Sequence, residues 1–423
     1  MWTVFKSSWA LLLGMMLLLL GNGLQGTLLG IRGAIEGFDA ATMSVVMSAY
    51  YLGFLAGSRR ASVMIRRVGH VRVFAALASL ISAAFILYVA APNPFLWAAM
   101  RLLVGFCFAG VYVVAESWLN DASTNENRGQ ALSLYMIVQM AGIIAAQALL
   151  NVADPSGYTL FILMSVLVSV SFAPILLSVG AAPAYQTTRP MTLRQLFAIS
   201  PLGCVGTFLL GGVYAGIFGM ASVFGTEKGL TVAQISMFVA AIYTGGLLLQ
   251  WPIGRLSDRM DRRRLIIALT VIGAGATLLG LLSDMGLAVL LGTGFAIGGA
   301  ANPLYSLLIA YTNDFLAHED MAAASGGLLF INGLGAISGP LIIGWSMSRF
   351  GADAFFVFIA ALFALTAAYG IWRTTRRASP GETSSYAPVL PTASPVALAV
   401  AQEVAIERAV EAGAEGAAAR EPA

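Results

Sequence analysis

Apolar runs of about 20 residues recur along this chain, each long enough at 1.5 Å per residue to cross the roughly 30 Å hydrocarbon core of a bilayer. Twelve of them fall within the first 372 of 423 residues, one about every 31 positions, with short polar or Gly/Pro-containing turns between. A backbone inside lipid has no water to bond, so each run must satisfy its own N–H and C=O groups as a helix. Composition agrees: 59% of residues are hydrophobic and only 10% charged, against about 25% charged in a soluble globular domain. A water-soluble enzyme, a secreted module and a nucleic-acid binder are excluded. The net charge of +3 marks no polyanion-binding face, because the basic residues are scattered through short loops.

The expected fold is therefore all-α and integral to the membrane: twelve transmembrane helices arranged as two pseudo-symmetric six-helix bundles. The spans read as 7–30, 42–62, 72–92, 95–119, 129–151 and 158–180, then 201–224, 232–254, 265–283, 286–312, 322–347 and 352–372. Residues 1–180 form the first bundle and 201–372 the second. Between them 181–200 is a polar linker carrying Pro183, Arg189, Pro190 and Arg194, and 373–423 reads as a disordered cytoplasmic tail, rich in Pro, Ser and Ala. A short amphipathic helix is the alternative for the acidic end of that tail, near Glu403, Glu407, Glu411 and Glu415. The first run follows Lys6 and is too long for a signal-peptide core, so it is expected to remain as a helix.

The two bundles repeat weakly at an offset of 193. Tyr50 and Gly53 map to Tyr243 and Gly246, Gly105 to Gly298, Tyr112 to Tyr305, and Gly142 to Gly335. Charge gives the orientation. Lys228, Arg32 and Arg349 are the only basic residues on one side, whereas Arg66, Arg67, Arg72, Arg259, Arg262, Arg263, Arg264, Arg373, Arg376 and Arg377 lie on the other. By the positive-inside rule the arginine-rich side is cytoplasmic, and with an even number of spans so are both termini, in an inner membrane.

Cys107 and Cys204 sit inside apolar runs, and His70 and His318 in separate loops, so neither a metal nor another cofactor is expected. The lysines Lys6 and Lys228 form no phosphate-binding loop, which removes an ATP-driven pump. No paired carboxylates or Ser-His-Asp grouping occur at membrane depth, which argues against an enzyme.

What remains is a small set of polar groups in apolar helices, where facing lipid would be costly. Arg101 lies about 10 Å into the fourth span and needs a water-filled cavity, an anionic ligand or a neighbouring helix's carbonyls. Asn22, Gln25, Tyr50, Tyr135, Gln139, Tyr214, Tyr243, Tyr305 and Asn332 fall near mid-helix and are the candidates to line that cavity with Arg101. Glu116 is the one acid well inside a run; pairing with Arg67 or Arg128 is one reading, proton coupling the other. The loop Gly254–Arg264, G-R-L-S-D-R-M-D-R-R-R, sets Asp258 beside Arg259, Arg262 and Arg263, with Gly254 allowing close helix approach. With Arg66, Arg67, Glu116 and Arg128 these residues form a candidate cytoplasmic gate.

That loop resembles the signature of the major facilitator superfamily, and Arg101-Leu-Leu-Val-Gly105 is similar to the family's fourth-helix motif. Gly21 to Gly33, Glu116-Ser-Trp-Leu-Asn120 and Asn127-Arg-Gly129 resemble the YcaD-like branch, over about residues 5 to 375. The resemblance implies secondary active transport of a small polar solute by alternating access, with protons the candidate coupling ion and a monomer as the working unit. Two departures stand out. Arg66 occupies the place where the first-half loop usually has aspartate, and the fifth helix, Ala141 to Gln147, lacks the Gly-Pro pair common in the family's antiporters. Absence of a midplane carboxylate makes an organic anion, a zwitterion or a neutral solute the expected cargo. A non-transporting sensor or lipid-handling protein on the same scaffold is the alternative.

Overall fold

The computed structural model describes residues 2–121, 123, 127–177, 191–376, 386–390, 392–394, 396–405 and 407. Pro183, Arg189, Pro190, Arg377, Arg408, Glu411 and Glu415 lie outside the described residues, as do the side chains of Lys6 and His318. Twelve helices long and apolar enough to cross a membrane are present: α1 (Ser8–Ile35), α2 (Ala40–Val68), α3 (His70–Ala90), α4 (Pro94–Asn120), α5 (Arg128–Leu149), α6 (Thr159–Leu176), α7 (Pro201–Glu227), α8 (Val232–Ser257), α9 (Arg262–Met285), α10 (Leu287–Asn313), α11 (Glu319–Phe350) and α12 (Ala354–Thr374). Their ends follow local chemistry. Asp39 caps α2 by accepting from the Thr42 backbone N–H at 2.8 Å, and this bond holds its carboxyl below the usual carboxylate range. Thr231 and Gln234 make a reciprocal capping box at the start of α8. His70 opens α3 and is buried, not a loop residue.

Packing obeys the expected two-fold pseudo-symmetry. In the first half α1 packs on α5 and α6, α2 on α4, and α3 on α4 and α6. Each pairing recurs six helices later: α7 on α11 and α12, α8 on α10, and α9 on α10 and α12. The halves meet along α2 with α11 and along its counterpart, α5 with α8, and α1 also touches α7.

Two glycine contacts explain why α2/α4 and α8/α10 are so close. A Cβ on Gly105 would lie 2.0 Å from the Tyr50 carbonyl oxygen, and one on Gly53 1.9 Å from that of Leu102. In the second half Gly298 meets the Ile242 carbonyl at 1.9 Å and Gly245 meets Phe295 at 1.9 Å. Backbones this near gain dispersion and Cα–H···O contacts in a lipid setting where apolar burial drives nothing. The same contacts refine the repeat. Gly105 pairs with Gly298 at an offset of 193, but Gly53 is equivalent to Gly245 and Tyr50 to Ile242, an offset of 192. The Tyr50/Tyr243 and Gly53/Gly246 pairings expected from the sequence are therefore one residue out of register. One position further along, the small and large partners are exchanged between halves: Gly57 faces Phe106 in the first, whereas Leu249 faces Gly299 in the second.

Two chain segments differ from expectation. Part of the linker is helical, Leu193–Ile199, started by a Thr192–Gln195 capping box. The tail, expected to be disordered, is packed over residues 386–405. Tyr386, Val389, Leu390, Ala397 and Leu398 are all buried, and Val396–Ala405 is a helix, α13. The physical reason is that a Pro/Ala-rich segment with few large side chains cannot fold alone, but it can bury what it has in a groove supplied by the rest of the protein.

The glycine contacts predict a sharp contrast on one helix. Gly298→Ala should destabilise by about 3 kcal/mol, because α8 and α10 must separate to admit the methyl group. Gly292→Ala, where nothing lies within 4 Å of the added carbon, should be neutral or stabilising by up to about 1 kcal/mol. Thermal unfolding of the two detergent-solubilised variants checks this.

Candidate functional site: a cavity between the halves

The cavity between the halves encloses about 1320 Å³ of empty space, part of it continuous with solvent. Helical stripes build its wall. Tyr50, Phe54 and Ser58 of α2, Gln139, Ile143 and Gln147 of α5, and Tyr214, Phe218 and Ser222 of α7 each repeat at four-residue spacing and so share one face. A π-helical turn, Gly216–Met220, interrupts α7 at the middle of its stripe, a feature that re-aims side chains and clusters at functional sites. It leaves Phe218 stacked between Tyr214, at 5.4 Å, and Tyr243, at 4.5 Å.

Arg101 is the charged member. Its side chain is 4% exposed and lines the cavity. One terminal nitrogen donates to Gln25 Oε1 at 2.8 Å, the other reaches Met47 Sδ at 3.5 Å, and the guanidinium lies 4.7 Å from the Tyr50 ring centre. Gln25 is oriented in turn by donating to the Tyr88 hydroxyl at 3.1 Å. Among the described residues Arg101 is in no ion pair, and its Nε–H is buried without a hydrogen-bond partner. A buried donor on a full charge is costly when unmet. It is therefore suited to donate to a ligand's oxygen.

The structure brings Asn22, Tyr50, Arg101, Gln139, Tyr214, Tyr243 and Asn332 to the cavity wall. Gln25 stands behind Arg101, and Tyr135 and Tyr305 are buried away from the wall. Tyr214 donates to the Ala301 carbonyl at 3.0 Å, and Asn332 to the Thr207 carbonyl at 3.1 Å, so both also tie helices together. Sequence reading passes over Tyr51, Tyr112, Gln147, Ser222 and Asn302, which line the same space. The four-residue stripes through Gln139 and Tyr214 are the signal that points to Gln147 and Ser222.

The two ends of the cavity are built differently. At the arginine-poor end the halves touch directly. A Cβ on Gly344 of α11 would lie 2.2 Å from Ser44 Cβ of α2, a Cβ on Gly30 of α1 would lie 2.2 Å from Ser222 Oγ of α7, and Asn151 donates to Ser236 Oγ at 3.0 Å. At the arginine-rich end residues 386–405 lie between the halves. The Tyr386 backbone N–H donates to Asp258 Oδ1 at 2.8 Å, its hydroxyl accepts from Gln250 at 2.9 Å, and its ring packs on Gly254. Ser306 clamps Val389 by accepting its N–H at 2.9 Å and donating to its carbonyl at 3.0 Å. On the first half, Glu116 Oε2 accepts the Ser394 N–H at 2.7 Å, and Arg128 pairs with Glu403.

The gate residues are thus placed but not partnered as expected. Glu116 bonds a backbone amide of the tail, not Arg67 or Arg128, because the tail fills the space between them. Gly254 admits a tyrosine ring where a helix backbone was expected. Arg262 pairs chiefly with Asp314 at the end of α10, both side chains being 1% exposed, and stands 3.7 Å from Asp258. Arg263 is buried with its guanidinium 5.8 Å from the Tyr311 ring. Arg66, Arg67 and Arg259 point to the surface.

A family model described as Major Facilitator Superfamily matches residues 11–201 and 203–406. The chain belongs to that superfamily. It is 29% identical over 362 residues to "Uncharacterized MFS-type transporter YcaD" of Escherichia coli, spanning 83% of this chain and 92% of that protein. Its fold resembles the nucleoside transporter NupG, with a TM-score of 0.71 at 13% identity over 88% of this chain and all of that one (100%). It also resembles a bacterial homolog to the human lysosomal transporter Spinster, in an inward-facing and unoccupied conformation, with a TM-score of 0.69 at 14% identity, covering 95% and 98% of the two chains. At these identities the likeness to solved structures is one of fold. The protein is a multi-pass membrane transporter of this superfamily.

Burial separates the two acids near Arg262. Asp314→Asn removes the counter-charge of a fully buried arginine and should cost about 3 kcal/mol. Asp258 is 47% exposed, and Asp258→Asn should cost no more than about 1 kcal/mol. Thermal melts of the two variants side by side give the comparison.

Proposed function

We propose that the chain is a secondary active transporter that carries a small organic anion, a zwitterion or a neutral polar solute through the cavity by alternating access. The observation that carries this reading is Arg101: a buried guanidinium in the cavity wall with an unmet Nε–H and no acidic partner among the described residues. In a low-dielectric space one such charge weighs heavily in deciding which ligand sign enters. The Tyr214–Phe218–Tyr243 stack supplies a flat apolar wall, and Asn22, Gln139 and Gln147 supply neutral hydrogen-bonding groups. A cationic solute would meet no carboxylate there.

Direct contact between halves at the arginine-poor end supports an arrangement closed on that side. With the arginine-rich side taken as cytoplasmic, as the positive-inside rule directs, this is an inward-facing arrangement. Gly254, Asp258, Arg262 and Arg263 then belong to the cytoplasmic gate. Protons remain the candidate coupling ion, with Glu116 the one carboxylate set deep in a span.

Two measurements test the reading. A thermal-shift screen of organic anions, zwitterions and neutral solutes should yield a ligand that stabilises the wild-type protein. Arg101→Gln should then weaken that ligand by about 10- to 100-fold, the loss of one charge-assisted bond, without an equal loss of stability. Unaltered affinity in folded Arg101→Gln, or a strongly cationic ligand, overturns the assignment. For orientation, a reporter fused after Thr374 should read cytoplasmic, and a periplasmic signal would make the same arrangement outward-facing.

A further inference from the structure

Residues 386–405 do more than end the chain. They touch both halves at one end of the cavity: Glu116 of α4 and Arg128 of α5 on one side, and Ser306 and Ser325 of α10 and α11, with Asp258 just past the end of α8, on the other. They also reach the cavity itself, where Leu390 and Thr392 form part of its lining. Leu390 packs against Met136 and Met140 of α5, with Tyr243 and Leu247 of α8 beside it.

The bonds are of a kind that reads position. Three backbone amides of the segment, at Tyr386, Val389 and Ser394, are each met by a side chain of the two bundles. Gln402 donates to the Met321 carbonyl at 3.0 Å and to Ser325 Oγ. Gly254 leaves room for the Tyr386 ring, since a Cβ there would lie 2.7 Å from it. This is recognition of an extended peptide by a groove, with main-chain bonds holding register and small pockets taking Tyr386 and Leu390.

We propose that residues 386–405 are an autoinhibitory wedge: the arginine-rich vestibule is a peptide-binding groove whose ligand is the chain's own tail, and the halves close on that side only after the wedge withdraws. The wedge occupies the volume that α5 and α8 would need to approach, and it separates the cavity from the arginine-rich side. The inference rests on the alternating-access reading only for its consequence in transport; the seating of the wedge is tested without any substrate.

In a Cys107→Ala, Cys204→Ala background, Ser58→Cys places one thiol on the cavity wall. With the arginine-poor end closed, a membrane-impermeant maleimide must pass the wedge to reach it in detergent-solubilised protein. Leu390→Asp sets a carboxylate against Met136 and Met140 and should raise the labelling rate by about tenfold or more, as expected when a packed segment is released. Glu403→Arg should raise it as well, and adding Arg128→Glu to restore the pair with reversed signs should bring it back down. Equal labelling of a monodisperse Leu390→Asp protein and its parent overturns the proposal. If the substituted proteins fail to fold, hydrogen exchange on the unsubstituted chain decides: the amides of residues 386–405 should exchange at least about tenfold more slowly than in a free peptide of the same sequence, and free-peptide rates overturn it. A wedge that passes these tests in a protein that moves no solute would leave the seating intact and reject the transport reading.

Discussion

A full positive charge held in a nearly dry space is the constraint around which this transporter is arranged. Arg101 needs partners, and what it has are neutral ones: an amide oxygen from Gln25, a thioether from Met47 and the face of Tyr50. Each neighbour is itself fixed, Gln25 by Tyr88 and Tyr50 by the close α2/α4 approach that Gly53 and Gly105 permit. The glycines therefore serve the charge as well as the fold. They draw the helices of each half together tightly enough that Arg101 and the ring beside it keep one geometry.

Tight packing within a half and looser contact between halves is what a rocking transporter needs. The backbone-to-backbone approaches at 1.9 to 2.0 Å of added Cβ, through Gly53, Gly105, Gly245, Gly298 and Gly335, all lie inside one half or the other. Between halves, the arginine-poor end is joined by Ser44, Ser48 and Asn151 through single hydrogen bonds and small side chains. Contacts of that kind can separate without unfolding anything. At the opposite end the joint is made through a third element, the tail, whose bonds to Glu116, Asp258 and Ser306 replace direct contact.

The spans, the duplication and Arg101's place on a cavity wall are legible in the sequence because each rests on a strong local cost: unmet backbone in lipid, or an unmet charge. Register is less legible. An offset of 193 aligns Gly105 with Gly298, but α2 and α8 follow an offset of 192, and identical residue types at Tyr50 and Tyr243 favour the wrong pairing. Glu116 escapes sequence reasoning for a different reason. Its partner is the Ser394 backbone amide, and a backbone amide carries no sequence signal. The tail deceives because Pro, Ser and Ala at its positions are what disordered segments also contain; its order comes from a groove that both halves must first assemble. The overlooked wall residues, Gln147 and Ser222 among them, lie on stripes whose other members stand out as polar groups at mid-helix.

The central claim is that Arg101 meets the ligand. It is tested most directly by determining the structure with a bound ligand, obtained from a screen against the folded protein. The account predicts an anionic or neutral oxygen of the ligand within hydrogen-bond distance of Arg101 Nε, with the rest of the molecule against the Phe218 stack. A ligand bound in the cavity away from Arg101, with its Nε–H still unmet, would contradict it.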